Sequence, residues 1–296
     1  MLMKRVIRKL FIVTITMFII LTIYTIPVLK NEKVLRTNLE VEDIVNLNND
    51  TIYLLNKNDL FVKVNFFNNG KNLETKIRNI INYLTLENNN IPKNLNGYIP
   101  ENTKINSINI DSNLVEIDFS KEFTNYKVKE KTIITGLVFS LLELKEISAV
   151  SITVNGQKLS NYQTPITKSI GINNNYLFSN RRNINKVVVY YYDNDYYVPV
   201  TKYLDDKQEK IEVIINELKN SNEKYTSYLN DKVQLLDYYE ENNAMFLNFN
   251  EYLKDNDLET TKKIINEIAY SVFDNYDVDM VFFKINDKQF DYVKKS

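Results

Sequence analysis

The apolar positions of this chain change period in a set order, and the order is run through twice. Thr51–Val64 (TIYLLNKNDLFVKV) holds two β-rich runs around Asn56–Asp59, and Lys186–Val200 (KVVVYYYDNDYYVPV) holds two more around Asp193–Asp195. Both read as β-hairpins, since Asn and Asp tolerate tight-turn angles while β-branched and aromatic residues favour the flanking strands. The period then lengthens. Ile77, Ile80, Ile81 and Leu84 are answered by Ile211, Ile214, Ile215 and Leu218. Spacing of i, i+3, i+4, i+7 puts each set on one face of an amphipathic helix.

Two short strands follow in each copy: Lys104–Ile110 and Leu114–Phe119, then Lys232–Tyr238 and Ala244–Phe249. A second helix is predicted over Glu130–Leu144 and over Leu258–Asp274, and a last strand over Ala149–Val154 and Met280–Ile285. Each copy therefore predicts β-β-α-β-β-α-β, an α+β two-layer domain with helices on one face of a sheet. The copies are expected at 49–160 and 186–292, joined by a linker at 161–185 that holds Pro165, Gly171 and an Asn run at 173–175, with a tail at 293–296.

Ahead of the repeat lies a different pattern. Leu10–Leu29 is apolar except for Thr14, Thr16, Thr22, Tyr24, Thr25 and Pro27, and it follows a tail, 1–9, carrying Lys4, Arg5, Arg8 and Lys9. Twenty residues rising about 1.5 Å each just span a hydrocarbon core of roughly 30 Å. Basic residues before the run place the short end inside. YTIPVLK at 24–30 offers no small-residue cleavage site, so an uncleaved transmembrane signal anchor at 10–29 is expected, followed by a linker at 30–48. The expected location is the cytoplasmic membrane, single-pass, with the repeat extracytoplasmic.

Composition narrows the chemistry. The 296 residues contain no Cys, no His and no Trp, which removes the usual zinc sites, thiol nucleophiles, Ser-His-Asp triads and disulfides. No cofactor or metal is expected. Neither G-x-G-x-x-G nor G-x-x-x-x-G-K occurs, and a net charge of −1 gives no footprint for nucleic acid. The 44 Asn residues read as the codon bias of an AT-rich genome.

Ile99–Leu159 contains IPENTKINSINIDSNLVEIDFSKEF, a helix, and EISAVSITVNGQKL. This segment resembles the GerMN domain family, whose pattern has an "IP-x-G-T-K" start, a "V-D-F-S-x-E-F" strand end and a closing "V-x-V-x-V-N-G". The matching residues are Ile99, Pro100, Thr103 and Lys104; Ile117, Asp118, Phe119, Ser120, Glu122 and Phe123; and Val150, Ile152, Val154, Asn155 and Gly156. Asn102 stands where the family has Gly. In the second copy Asp118-Phe119-Ser120 becomes Asn248-Phe249-Asn250, and Asn155-Gly156 becomes Asn286-Asp287. The resemblance implies tandem non-enzymatic extracytoplasmic modules, similar in fold to ring-building domains and linked to sporulation, germination and peptidoglycan. Expected partners are envelope or sporulation-complex proteins, further copies of this chain, and peptidoglycan.

Several residue groups carry the competing readings. Glu116, Asp118 and Glu122 form a carboxylate cluster, the minimum for a wall hydrolase. Against that, Ile117 and Phe119 read as core, with Glu116, Asp118 and Ser120 pointing to solvent or capping the turn. Tyr190–Tyr192, Tyr196 and Tyr197 form the densest aromatic patch; Tyr191 and Tyr197 are expected at the surface as a glycan-stacking or protein interface. Pro199 cannot donate to a ladder, so its strand is expected at a sheet edge, with Pro199 a candidate contact residue. Arg181 and Arg182 are linker charges or a docking point for anionic wall polymers. Ser221–Lys224 fits S-x-x-K without a partner motif and is set aside.

Overall fold

The computed structural model describes residues 49–295, apart from 87, 163, 175–184, 205–207 and 221–224. The tail at 1–9, the span expected at 10–29 and the linker at 30–48 lie outside the described residues, as do Arg181, Arg182 and Ser221–Lys224. No helix among the described residues is long and apolar enough to cross a membrane.

In the first copy the hairpin is β1 (Asn49–Leu55) paired antiparallel with β2 (Phe61–Phe67), followed by α1 (Leu73–Tyr83). Asn72 caps α1 by accepting from the Thr75 N–H, and Ile77, Ile80 and Ile81 form its buried face. A four-stranded sheet follows: β3 (Ile105–Asp111), β4 (Leu114–Phe119), β5 (Ala149–Val154) and β6 (Gln157–Lys158). The crossover between β4 and β5 is α2 (Glu130–Leu141), so these two strands run parallel while the outer pairs are antiparallel.

The second copy repeats the plan. β7 (Asn185–Asp193) pairs with β8 (Tyr196–Leu204), then come α3 (Lys210–Leu218), β9 (Leu235–Glu241), β10 (Ala244–Phe249), α4 (Leu258–Asn275), β11 (Met280–Ile285) and β12 (Lys288–Lys294). All seven elements expected per copy are present. Each copy adds an eighth, β6 or β12, because the Asn-Gly or Asn-Asp pair after the last expected strand turns the chain back onto the sheet.

Those turns revise the reading of asparagine. Asn155–Gly156, Asn194–Asp195, Asn242–Asn243 and Asn286–Asp287 each place both residues at positive φ, the type I′ pattern that matches strand twist. Eight of the twelve non-glycine residues at positive φ among the described residues are Asn. In a chain with five Gly, Asn supplies the left-handed positions, including Asn102 (φ 63°) where the family pattern has Gly.

Residues Asn49–Ser296 form one compact unit. A single apolar cluster runs through both copies, with α2 against β1, and α3 and α4 against β7. The segment expected as a linker is built into this unit up to Asn174: Ile166 bridges Val150, and Ile166 and Ile172 are buried.

Candidate functional site

The family-pattern carboxylate comes first. Asp118, near the end of β4, accepts from Thr153 Oγ1 at 2.6 Å and from the Gly156 N–H at 2.7 Å, and its other oxygen accepts from Asn106 Nδ2 at 2.8 Å. The Thr153 hydroxyl, with Gly156 and Asn106, holds this carboxyl below its ordinary value. Its acceptor sites go to the β5–β6 turn. In the second copy Asn248 accepts from the Asp287 N–H at 3.0 Å and donates to Asp287 Oδ1 at 2.7 Å. The two departures from the family pattern are therefore one exchange. An aspartate at 287 would repel an aspartate at 248, whereas Asn248 both accepts and donates.

Ser120 and Asn250 also coincide. Ser120 Oγ accepts from the Lys104 N–H at 3.0 Å, and Asn250 Oδ1 from the Gln234 N–H at 3.1 Å. The Ser120 hydroxyl and the backbone N–H of Glu122 itself, with Lys121 and Lys104 nearby, also lower the Glu122 carboxyl. Asn109 donates to Glu116 at 3.0 Å. Asp118 and Glu116 sit on adjacent alternating positions of β4 with their own partners, and the cluster closes around a turn.

The tyrosine hairpin departs from expectation. Tyr191 is 0% exposed, packed against Tyr225 at 4.1 Å between ring centroids and 32° between planes, with its hydroxyl at 3.3 Å from Glu217; burial drives that hydroxyl's pKa upward. It cannot be a surface platform, because strand alternation turns it onto α3. Tyr197 is half-buried against Tyr270 and Tyr192, and accepts from Asn266 at 3.1 Å. Pro199 lies on an edge strand, since β8 pairs with β7 alone in a two-stranded sheet, but it is buried. It is paired with Tyr190 on one side, and its carbonyl accepts from Asn173 Nδ2 at 2.7 Å on the other.

That contact belongs to a seam between the copies, where β2 lies beside β8. Asn173 also accepts from the Phe61 N–H at 2.8 Å and donates to the Phe61 carbonyl at 2.8 Å, so one side chain ties both hairpins. Deeper in, the copies present matching sets. Ser140 accepts from the Tyr53 N–H at 2.9 Å, and Ser271 from the Tyr190 N–H at 2.8 Å. The Tyr53 hydroxyl donates to Glu143 at 3.1 Å and the Tyr190 hydroxyl to Asp274 at 2.7 Å. Lys63 and Lys168 pair with Glu143 at 3.1 and 2.6 Å. Burial alone would raise the Glu143 carboxyl, but the two ammonium groups outweigh it and hold it at about 2. Burial pulls Lys63 down, but Asp274 from the other copy, with Glu143, raises it. Sequence reading missed this seam; the signal was a Ser followed three residues later by an acid at the end of both second helices.

One buried acid breaks the repeat. Glu267 on α4 is 0% exposed and accepts from the Tyr192 N–H at 2.8 Å. Burial raises its carboxyl to about 8, against the Tyr192 and Tyr228 N–H groups that lower it. Four residues before the shared serine, the first copy instead has Gly136, filled over by Tyr98. Among the described residues no cluster of acids could hold a metal ion.

These features define a class: a tandem α+β repeat whose matching polar positions support turns and strands in both copies. The chain belongs to the Germane family, sporulation and spore germination, whose model matches residues 51–160 and 188–291. It is 29% identical over 221 residues to the spore germination protein GerM of Bacillus subtilis (strain 168), covering 67% of this chain and 60% of that relative, less than two thirds of its length. The tandem GerMN domains of the sporulation protein GerM from Bacillus subtilis superpose with a TM-score of 0.71 at 22% identity, over 84% of this chain and 96% of theirs. That likeness shows the same fold.

Proposed function

We infer that this chain is a non-enzymatic, membrane-anchored, extracytoplasmic protein that works through protein–protein contacts in a cell-envelope assembly of sporulation or germination. The observation that carries this reading is the exchange of Asp118 for Asn248 in one structural role. A carboxylate that acts as acid or nucleophile loses that chemistry as an amide, whereas a turn support keeps its hydrogen bond. The acid of the family pattern is thus accounted for without a reaction. Buried Tyr191 also weakens the glycan-platform reading, which needs ring faces open to solvent. The apolar run at 10–29 with basic residues before it supports the anchor and its direction.

The test uses the full chain with a carboxyl-terminal tag in spheroplasts. Protease added outside is expected to remove the tag, and the membrane fraction to release no soluble fragments from purified cell wall. A protected tag contradicts the topology; wall fragments lost specifically with Asp118→Asn contradict the non-enzymatic reading.

A further inference from the structure

Tyr239 of β9, Phe246 of β10, Phe282 of β11 and Tyr292 of β12 are direct partners in the pairing register. Register partners share a face, so one aromatic rung crosses the whole second sheet. Alternation turns Met245, Leu247 and Phe283 the other way, and these are buried against the helices. The rung lies on the open face, with Tyr239 and Tyr292 at 41% and 49% exposed. The fold does not require it. The matching rung of the first sheet reads Asn109, Glu116, Ser151.

Ring geometry says what this face suits. Tyr239 and Phe246 are 4.7 Å apart at 10°, and Phe246 and Phe282 4.8 Å apart at 9°. Near-parallel rings this close cannot lie side by side flat on the sheet; they stack on one another along the rung and present their edges outward. The inner ring faces are taken by neighbouring rings, Tyr292 tilts at 33° to Phe282, and the Lys284 ammonium lies 5.2 and 5.3 Å from the Tyr239 and Phe246 centroids while donating to the Tyr239 hydroxyl. Ring edges with one ammonium among them suit another packed sheet better than a sugar ring. The neighbouring rung carries Glu241 on β9, Ala244, Met280, and Lys294 on β12: an acid at one lateral edge and a base at the other.

We propose that this face is the contact between two copies of this chain, packed sheet to sheet about a two-fold axis parallel to the strands. The axis lays β9 of one copy over β12 of the other, so Glu241 meets Lys294 twice while the aromatic rungs bury each other. A surface complementary to itself under a two-fold is what an isologous dimer requires. The four-stranded face offers about 400 Å² of flat area, below the roughly 800 Å² per partner of a standard interface. The dimer is therefore weak in solution and is strengthened where a shared membrane concentrates the chains. The proposal rests on the reading that the chain works through protein contacts.

The chain has no cysteine, so Glu241→Cys with Lys294→Cys supplies its only two thiols. Packed sheets lie about 10 Å apart, beyond the roughly 7 Å Cα limit for a direct disulfide, so the thiols are joined with a bis-thiol reagent whose spacer is about 6 Å. Within one copy the two positions are three strands apart, about 14 Å, out of its reach. A link between them therefore joins two copies. Treating membranes carrying the full-length double variant with this reagent is expected to give covalent dimer at ten times or more the yield of a Ser151→Cys control on the first sheet. Adding Tyr292→Asp should cut that yield at least tenfold. Monomer throughout, or a yield equal to the control, overturns the proposal. Cross-linking of the same membranes with a lysine-reactive reagent separates the two failures. A heterologous adduct without dimer overturns only the self-contact, while neither species removes the protein-contact reading as well.

Discussion

At the scale of single residues, the polar positions that look chemical are occupied by partners in their own strands and turns. Asp118 and Asn248 do one job with different head groups, so Asp118→Asn is expected to unfold within about 1 kcal/mol of the parent. Asp118→Ala strands the Gly156 N–H and the Thr153 hydroxyl and should cost about 1–2 kcal/mol, both read by urea denaturation of the full chain. Glu267 makes the opposite case, a carboxyl held protonated by burial at about 8. Its folded value lies above its unfolded value of about 4.3, so the folded state keeps a proton that the unfolded state gives up. Stability is then complete below the unfolded value and falls as pH rises to about 8, by up to about 1.4 kcal/mol per pH unit. Glu267→Gln keeps the Tyr192 hydrogen bond and removes that slope. Melts from pH 5 to 8 should show the variant gaining on the order of 4 kcal/mol over the parent by the alkaline end; parallel curves contradict this.

At the scale of elements, hydrophobic period and turn chemistry carried the fold. The hairpins and both amphipathic helices lie where i, i+3, i+4 spacing and Asn/Asp turns predicted them, because their apolar faces are buried within one copy. The closing strands β6 and β12 were invisible for a physical reason: they are exposed edge strands with little apolar alternation, held by type I′ turns rather than by a core face. Tyr191 was misplaced, and Pro199 sits on the expected edge strand yet is covered, because their surroundings come from α3 and from the neighbouring copy, which strand pattern alone does not encode. Gly136 shows how a helix records such surroundings. Alanine in a helix ordinarily gains about 1 kcal/mol over glycine. Here a Cβ would lie 2.4 Å from Tyr98 Cζ and 2.5 Å from Phe61 Cε1, two buried rings. Gly136→Ala is expected to cost about 1–3 kcal/mol, and a stabilised variant would show that the rings yield.

At the scale of the whole molecule, the two copies are joined by a polar seam rather than strung on a loose linker. Asn173 ties the hairpins and Glu143 gathers Lys63, Lys168 and Tyr53, with Asp274 of the second copy acting on Lys63. Glu143 is held at about 2 in the folded state, below its unfolded value. Its contribution is present above the unfolded value of about 4.3 and is lost as pH falls toward 2. Glu143→Gln should flatten the acid limb of the stability curve over that window, and an unchanged limb would place the acid sensitivity elsewhere. A joined pair of modules presents fixed outer faces, polar on the first sheet and aromatic on the second, which suits assembly more than turnover. The central claim is that these faces meet other proteins. It is tested most directly by photo-cross-linking in intact cells, with a photoreactive residue at Tyr239 or Asn109 of the full chain. The account predicts discrete protein adducts of defined mass from at least one position; adducts only to wall glycan, or none from either face, would contradict it.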